Sequence, residues 1–338
     1  MTELREARVH AGVDEAGLGP LLGPLTVGYS VLRWPQSRGR RNPSPWVRLR
    51  GAVARSVDGA PGRLVVTDSK VVFTRDPAGH RRLESTALAF LAQRRAARAI
   101  PQSGRELLAC APPASRPSAH VLARHPWYDD LPERLPMWVD EAELLGHAAR
   151  LAAALGSSGL DVLDAGVRTV PEGELNDSYD STDNKALTLW RKASGLFEHL
   201  WESHAGEGLA LVVDRHGGRM RYDEHLVDLF PLTTVTTLRE TPRDSEYVVR
   251  EPRSDGRWMR IRFVQRADER HFAVALASCL AKYAREACMG AFNRYFGGLQ
   301  PDLKPTAGYY NDALRWLEEA RPALERAALD RRYVVRER

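Results

Sequence analysis

The chain has 338 residues, with 49 Lys and Arg against 44 Asp and Glu, a formal charge of +5 and three cysteines. A chain of this size buries a core without covalent staples, and Cys110, Cys279 and Cys288 have neither metal-ligand spacing nor a secreted-domain framework, which excludes a small disulfide-dependent module. The opening MTELREARVHAGVDEAG is charged where a signal peptide needs an apolar core, and no run of about 18 apolar residues follows; the expectation is a cytoplasmic monomer without a membrane partner.

Val9 to Val13 form a short apolar run that stops at Asp14-Glu15, and a glycine-rich turn leads on to Leu25 to Leu32. There Leu25, Val27, Tyr29 and Val31 alternate with Thr26, Gly28, Ser30 and Leu32, predicting a strand in a mostly buried sheet. The acidic pair thus sits at a strand-turn junction. Neighbouring strand side chains point to opposite faces, so a site shared by Asp14 and Glu15 calls for a bend or bulge. Residues 35–63, rich in Pro, Arg, Gly and Ser, predict an irregular insertion.

Between residues 81 and 100, Leu83, Ala87, Leu88 and Leu91 recur at helical spacing, and Pro101 closes that helix. Residues 110–137 are broken by prolines, 141–155 regain a helical pattern, and 171–183 read as a loop; the whole of 101–183 is expected to decorate a core and not to form its own domain. Ala186, Trp190, Ala193, Phe197, Leu200 and Trp201 make an apolar helix face, and the strand Leu209 to Val213 ends at Asp214. Short strands are expected at 235–238, 247–249 and 258–264. The clearest helix spans 269–296, with Asp268 just before it, and a helical segment closes the chain over 297–338. The pattern predicts an α/β fold in a single domain over 1–338.

Asp14, Glu15, Asp214 and Asp268 each fall where a regular element meets a loop, and in open α/β sheets the carboxyl ends of strands form the rim that carries sites. Asp268 reads equally well as a helix N-cap. Gly17, Gly19 and Gly23 suit either a tight turn or close approach of a phosphate or 2′-hydroxyl. Lys70, Lys282 and Arg285 read as solvated charge or as phosphate contacts, Tyr309 as a loop anchor or a sugar contact, and His271 as a surface group or a proton carrier. Arg38-Gly39-Arg40-Arg41, Arg94-Arg95 and His216-Gly217-Gly218-Arg219 extend the basic footprint or belong to ordinary surface.

The run Ala11-Gly12-Val13-Asp14-Glu15-Ala16-Gly17-Leu18-Gly19-Pro20, followed by Gly23-Pro24, resembles the opening motif of the ribonuclease HII family. Asp68-Ser69-Lys70 resembles the family's next segment, Leu211-Val212-Val213-Asp214 its central catalytic strand, and Arg266-Ala267-Asp268 with Ala275 to Lys282 and Arg285 its last aspartate and the following helix. Ala307-Gly308-Tyr309-Tyr310 resembles its Gly-Tyr segment. The resemblance implies a ribonuclease H-like mixed sheet flanked by helices, and a partner that is an RNA/DNA hybrid or a ribonucleotide-containing DNA duplex. It implies Asp14, Glu15, Asp214 and Asp268 as catalytic residues and as ligands of two Mg²⁺ or Mn²⁺ ions, Asp14 bridging. Gly17, Leu18, Gly19, Lys70, Lys282, Arg285 and Tyr309 would meet the substrate, and cleavage of the RNA-containing strand would leave a 5′-phosphate and a 3′-hydroxyl.

Hard cations prefer oxygen ligands, and without them clustered carboxylates repel one another, so the metal-free protein is expected to carry raised carboxylate pKa values. Two positions depart from the family pattern: Leu18 replaces an arginine and Arg215 a glycine. Leucine has no donor for phosphate or ribose. That leaves open a related nuclease of altered substrate choice, or a noncatalytic nucleic-acid-binding protein that keeps the acidic cluster for structure.

Overall fold

The computed structural model describes residues 6–35, 43–58, 61–95, 97–253 and 256–337, and the basic run Arg38 to Arg41 lies outside them. Its main sheet contains β1 (Val9–Ala16), β2 (Leu25–Arg33), β3 (Asp161–Val170), β4 (Leu209–Asp214), β5 (Thr234–Glu240), β6 (Asp244–Arg250) and β7 (Trp258–Val264) in the spatial order β3-β2-β1-β4-β7-β6-β5. β1, β4 and β7 run parallel in the centre, while β2 and β6 are antiparallel to their neighbours. The helices that matter to the site are α1 (Pro77–Leu91), α2 (Glu141–Ser158), α3 (Glu172–Thr182), α4 (Lys185–His204), α5 (Phe272–Leu299) and α6 (Tyr310–Glu319). This is the expected α/β architecture, a mixed sheet flanked by helices with helical additions and C-terminal helices.

The two faces of the sheet are built differently. On one, Val9, Ala11, Val13, Val27, Tyr29, Leu211 and Ile261 bury against Leu189, Phe197 and Leu200 of α4. On the other, α5 lies against a stripe of small residues. A Cβ at Gly12 would stand 2.2 Å from the Ala273 carbonyl carbon, and one at Gly28 would stand 2.2 Å from the Ala277 oxygen. On either side of Gly28 along β2, Thr26 Oγ1 donates to the Ala281 carbonyl at 2.9 Å and Ser30 Oγ to that of Ala273 at 2.8 Å. Ala273, Ala277 and Ala281 recur every four residues and so share one helix face. α1 and α2 then cover the far side of α5, with Leu83, Leu88, Leu144, Leu151, Leu276 and Leu280 in one apolar cluster.

The structure departs from expectation in the middle of the chain. Residues 161–170, within the stretch expected to decorate the core, form β3 and pair with β2. Residues 172–182, read as a loop, form α3. No bulge bends β1 at the acidic pair: its register with β2 runs on through Asp14↔Gly28 and Glu15↔Val27, and it is the parallel pairing with β4 that stops, at Val13↔Val213. Among the described residues no helix is long and apolar enough to cross a membrane.

Replacing Gly28 by valine drives a branched side chain into the α5 backbone and is expected to cost about 3 kcal/mol or more. Urea unfolding of the purified variant measures it, and an unchanged midpoint would contradict the packing described.

Candidate active site

The parallel strands β1, β4 and β7 end along the same edge of the sheet. Asp14 stands near the end of β1, Asp214 closes β4 opposite Val264, and Asp268 lies in the 3-10 turn Ala267–Glu269 that follows β7. The N-cap position of α5 is His271, so Asp268 is not its cap. The Ala267 amide donates to Asp214 Oδ1 at 2.7 Å and ties this turn to β4. The Glu15 amide donates to Asp14 Oδ1 at 2.8 Å. Arg215 reaches away from the acids, its guanidinium donating to the carbonyls of Pro242 at 2.5 Å and Thr241 at 2.9 Å, where it anchors the β5-β6 hairpin to the end of β4.

These acids share one electrostatic field. Burial, with Asp14 only 7% exposed, pushes its carboxyl well above the usual range, and the charges of Glu15, Asp214 and Asp268 push it further. Glu15 rises to about 8, through desolvation first and Asp214 second, with Lys70 pulling the other way. Asp214 is raised by burial against the restraint of the Ala267 amide. Asp268 rises to about 6, by burial and then by the charges of Asp68 and Asp214. The direction is that expected of a carboxylate cluster without counter-ions.

Asp68 is a fifth acidic neighbour whose role the sequence did not suggest, although it begins a quoted motif. Its Oδ1 accepts from the Lys70 amide at 2.9 Å and caps a short helix, Ser69–Val72. Ser69 and Ser278 are joined by a buried hydroxyl-hydroxyl bond of 3.0 Å, and Ser278 hydrogen-bonds toward Asp14, so α5 and the 68–72 segment meet beside the acids. Lys70 is exposed. The donor set is all oxygen and short of positive charge, which fits a hard divalent cation by its chemistry. As arranged, however, no group of three or more His, Cys, Asp or Glu among the described residues could hold a metal ion.

Beside the acids lies the glycine turn. Gly17 and Gly23 take φ of +86° and +82°, values that favour glycine. Arg285, 1% exposed, supports the turn from below, donating to the carbonyls of Pro24, Leu22 and Ala307. Arg336, which no sequence signal pointed to, is also buried and donates to the carbonyls of Gly17, Pro20 and Gly23. Burial, together with repulsion from Arg285, lowers its pKa to about 9. Leu18, partly buried, packs against the apolar cluster that α4 forms with the sheet. Of Gly17, Gly19 and Gly23 in this turn, Gly19 is the one that faces open space.

The remaining expected contacts divide by exposure. Lys282 is buried, paired with Glu286 at 2.5 Å and 4.5 Å from the Phe73 ring centre. Tyr309 is 47% exposed. The carbonyl of its neighbour Gly308 accepts from the amides of Leu21 and Leu22 at 2.8 and 3.2 Å, fixing Tyr309 beside the glycine turn. His271 and His216 are not free surface groups: burial lowers them to about 4 and about 3, and His216 stacks among Phe197, Tyr222 and Phe263.

No protein-family model and no curated protein matches the chain. Solved structures similar in shape include the following three. A chain of the PCNA:RNase HII complex from Archaeoglobus fulgidus is 14% identical, with 98% of this chain and 94% of that one covered and a TM-score of 0.42. Ribonuclease H2 from Pyrococcus horikoshii OT3 is 13% identical over 96% of this chain and 92% of that one, with a TM-score of 0.37. Bst-RNase HIII in complex with Mn²⁺ is 14% identical over 98% of this chain and 66% of that one, with a TM-score of 0.38. Likeness of this degree decides neither family nor activity.

A raised carboxyl pKa makes the folded state hold a proton that the unfolded chain has released, so its stabilising contribution is complete below the unfolded value and is lost as pH rises through the folded one. For Glu15 that window runs from 4.5 to about 8. Above about pH 7 the histidines no longer oppose it. The Tm of metal-free protein is therefore expected to fall from pH 7 to 8, and to fall less in Glu15→Gln; a thermal melt series that gave parallel curves for the two proteins would refute the shared field.

Proposed function

We propose that this protein is a metal-dependent endonuclease that hydrolyses the RNA-containing strand of an RNA/DNA hybrid or of a ribonucleotide-containing DNA duplex. The main support is the convergence of Asp14, Glu15, Asp214 and Asp268 from the ends of three adjacent parallel strands, close enough to raise one another's pKa. The ordered resemblance of the surrounding motifs to ribonuclease HII supplies the substrate class.

Asp14, Glu15, Asp214 and Asp268 would hold Mg²⁺ or Mn²⁺, whose chemistry in such sites is to lower the pKa of bound water and to neutralise charge on the departing oxygen. The chain itself supplies the rest. Its four carboxylates make this edge of the sheet attract positive charge, and the Ala267 amide fixes the orientation of Asp214. Lys70, exposed beside the acids, offers an ammonium to a neighbouring phosphate. Gly19, with open space above it, lets a sugar edge approach the backbone. Tyr309 presents a ring at the far side of the turn.

The position of Leu18 favours a second reading in the same class. With that side chain packed against the apolar cluster that α4 shares with the sheet, the glycine turn carries no cation of its own, and a nuclease of altered substrate choice is the natural consequence.

A panel of full RNA/DNA hybrid, DNA duplex with one embedded ribonucleotide, and all-DNA duplex, each with Mg²⁺ or Mn²⁺, tests both readings. Cleavage confined to the first two substrates is expected, with Asp14→Asn and Asp268→Asn each slowing it by about 10²-fold or more while leaving the fold intact. Robust cutting of the all-DNA duplex would favour the second reading. Absence of cleavage on all three substrates by wild-type protein that demonstrably binds the metal would refute both.

A further inference from the structure

The segment that begins at Asp68 runs away from the acids along α5. Ser69 meets Ser278, Phe73 lies under Lys282, and Arg75 reaches Tyr309, its guanidinium carbon 5.6 Å from the ring centre. On α5 the matching positions are Ser278, Lys282 and Arg285, and Arg285 donates to the Ala307 carbonyl just before the Gly308-Tyr309 pair. The seven helical steps from Ser278 to Arg285 span about 10 Å. Arg75 and Tyr309 thus form the far end of a strip that starts at the carboxylates.

Arg75 is exposed, and among the described residues no carboxylate lies within ion-pairing distance of it. Most of the arginines near acidic side chains are committed, as Arg239 and Arg260 are to Asp244 and Glu246. Even the adjacent Asp76 is engaged elsewhere, its Oδ1 accepting from the Gly79 amide at 2.8 Å. The planar group resting over an exposed aromatic ring therefore keeps its donors free in a fork that matches phosphate oxygens. An aromatic face and a free guanidinium side by side suit a sugar-phosphate backbone.

We propose that Arg75, held over Tyr309, is a backbone phosphate contact that positions the duplex and supplies at this end of the strip the positive charge that Leu18 withholds from the glycine turn. This inference rests on the nucleic-acid reading of the site. The pairing assigns two jobs: the ring positions the guanidinium, and the guanidinium binds a backbone phosphate near the cut.

Equilibrium binding of a fluorescent RNA/DNA hybrid to metal-free full-length protein, measured by anisotropy over a series of KCl concentrations, tests it without turnover. Each phosphate contact adds about 0.9 to the slope of log K against log salt. Arg75→Gln is expected to weaken binding about five-fold and to reduce that slope by about one unit, Arg75→Lys to keep the slope, and Tyr309→Leu to reproduce part of the loss. Wild-type binding with an unchanged slope and affinity in Arg75→Gln would overturn the proposal and leave the nuclease reading standing. Failure of the metal-free wild type to bind the hybrid would also overturn the proposal, while the nuclease reading stands or falls on the cleavage panel with metal.

Discussion

Helix α5 can approach β1 and β2 as closely as it does only because the strand positions beneath it are Gly12, Thr26, Gly28 and Ser30, two of which have no side chain and two of which donate to the helix's own carbonyls. The hydroxyl bonds satisfy helix acceptors that already serve the helix ladder, and the absence of Cβ atoms lets Ala273, Ala277 and Ala281 sit on the sheet. That approach fixes where the next face of the helix lies. Ser278 then reaches Asp14, Lys282 is paired with Glu286 over Phe73, and Arg285 reaches three carbonyls of the turns beyond. A helix set back by larger residues would carry all three side chains out of reach.

Against this rigid support the sheet edge concentrates negative charge that the fold does little to neutralise. Asp14, Glu15, Asp214 and Asp268 are each raised, with burial the leading cause, and Asp68 adds to the field at Asp214 and Asp268. Lys70 opposes it from an exposed position. A chain optimised for stability alone would not keep five acids here, and local conflict of this kind is characteristic of sites where function sets the residue. Other like charges in the molecule are handled differently: Arg285 and Arg336 are both buried behind the glycine turn, where Glu172 offsets their repulsion.

The parts legible in the sequence were those whose polarity follows the period of the backbone. The strand at 258–264 and the long helix from 272 were visible as alternation and as an alanine-rich face, and the four acids stood out because each ends such a run. β3 escaped because its alternation is broken by Asp164, Gly166 and Arg168, whose polar groups find partners within the fold: Asp164 meets His199 at 2.8 Å and Arg168 meets Glu174 at 3.1 Å. α3 escaped for a related reason. Its buried face includes Glu172, Asn176, Ser178 and Tyr179, and Asn176 Nδ2 donates to the carbonyls of Arg332 and Val335 at 2.7 and 2.8 Å. Polar burial answered by distant backbone leaves no hydrophobic period to read. The burial of Arg285 was hidden likewise, since an arginine on a helix reads as surface charge until its guanidinium finds the carbonyls of Leu22, Pro24 and Ala307.

Arg336 and Gly17 are 319 residues apart in the sequence, yet the guanidinium of one satisfies the carbonyl of the other. Closing so large a loop is entropically slow to arrange, and until it closes the carbonyls of Gly17, Pro20 and Gly23 have only water to accept from. The turn that follows β1 is therefore fastened only once a residue 319 positions further along has folded back against it.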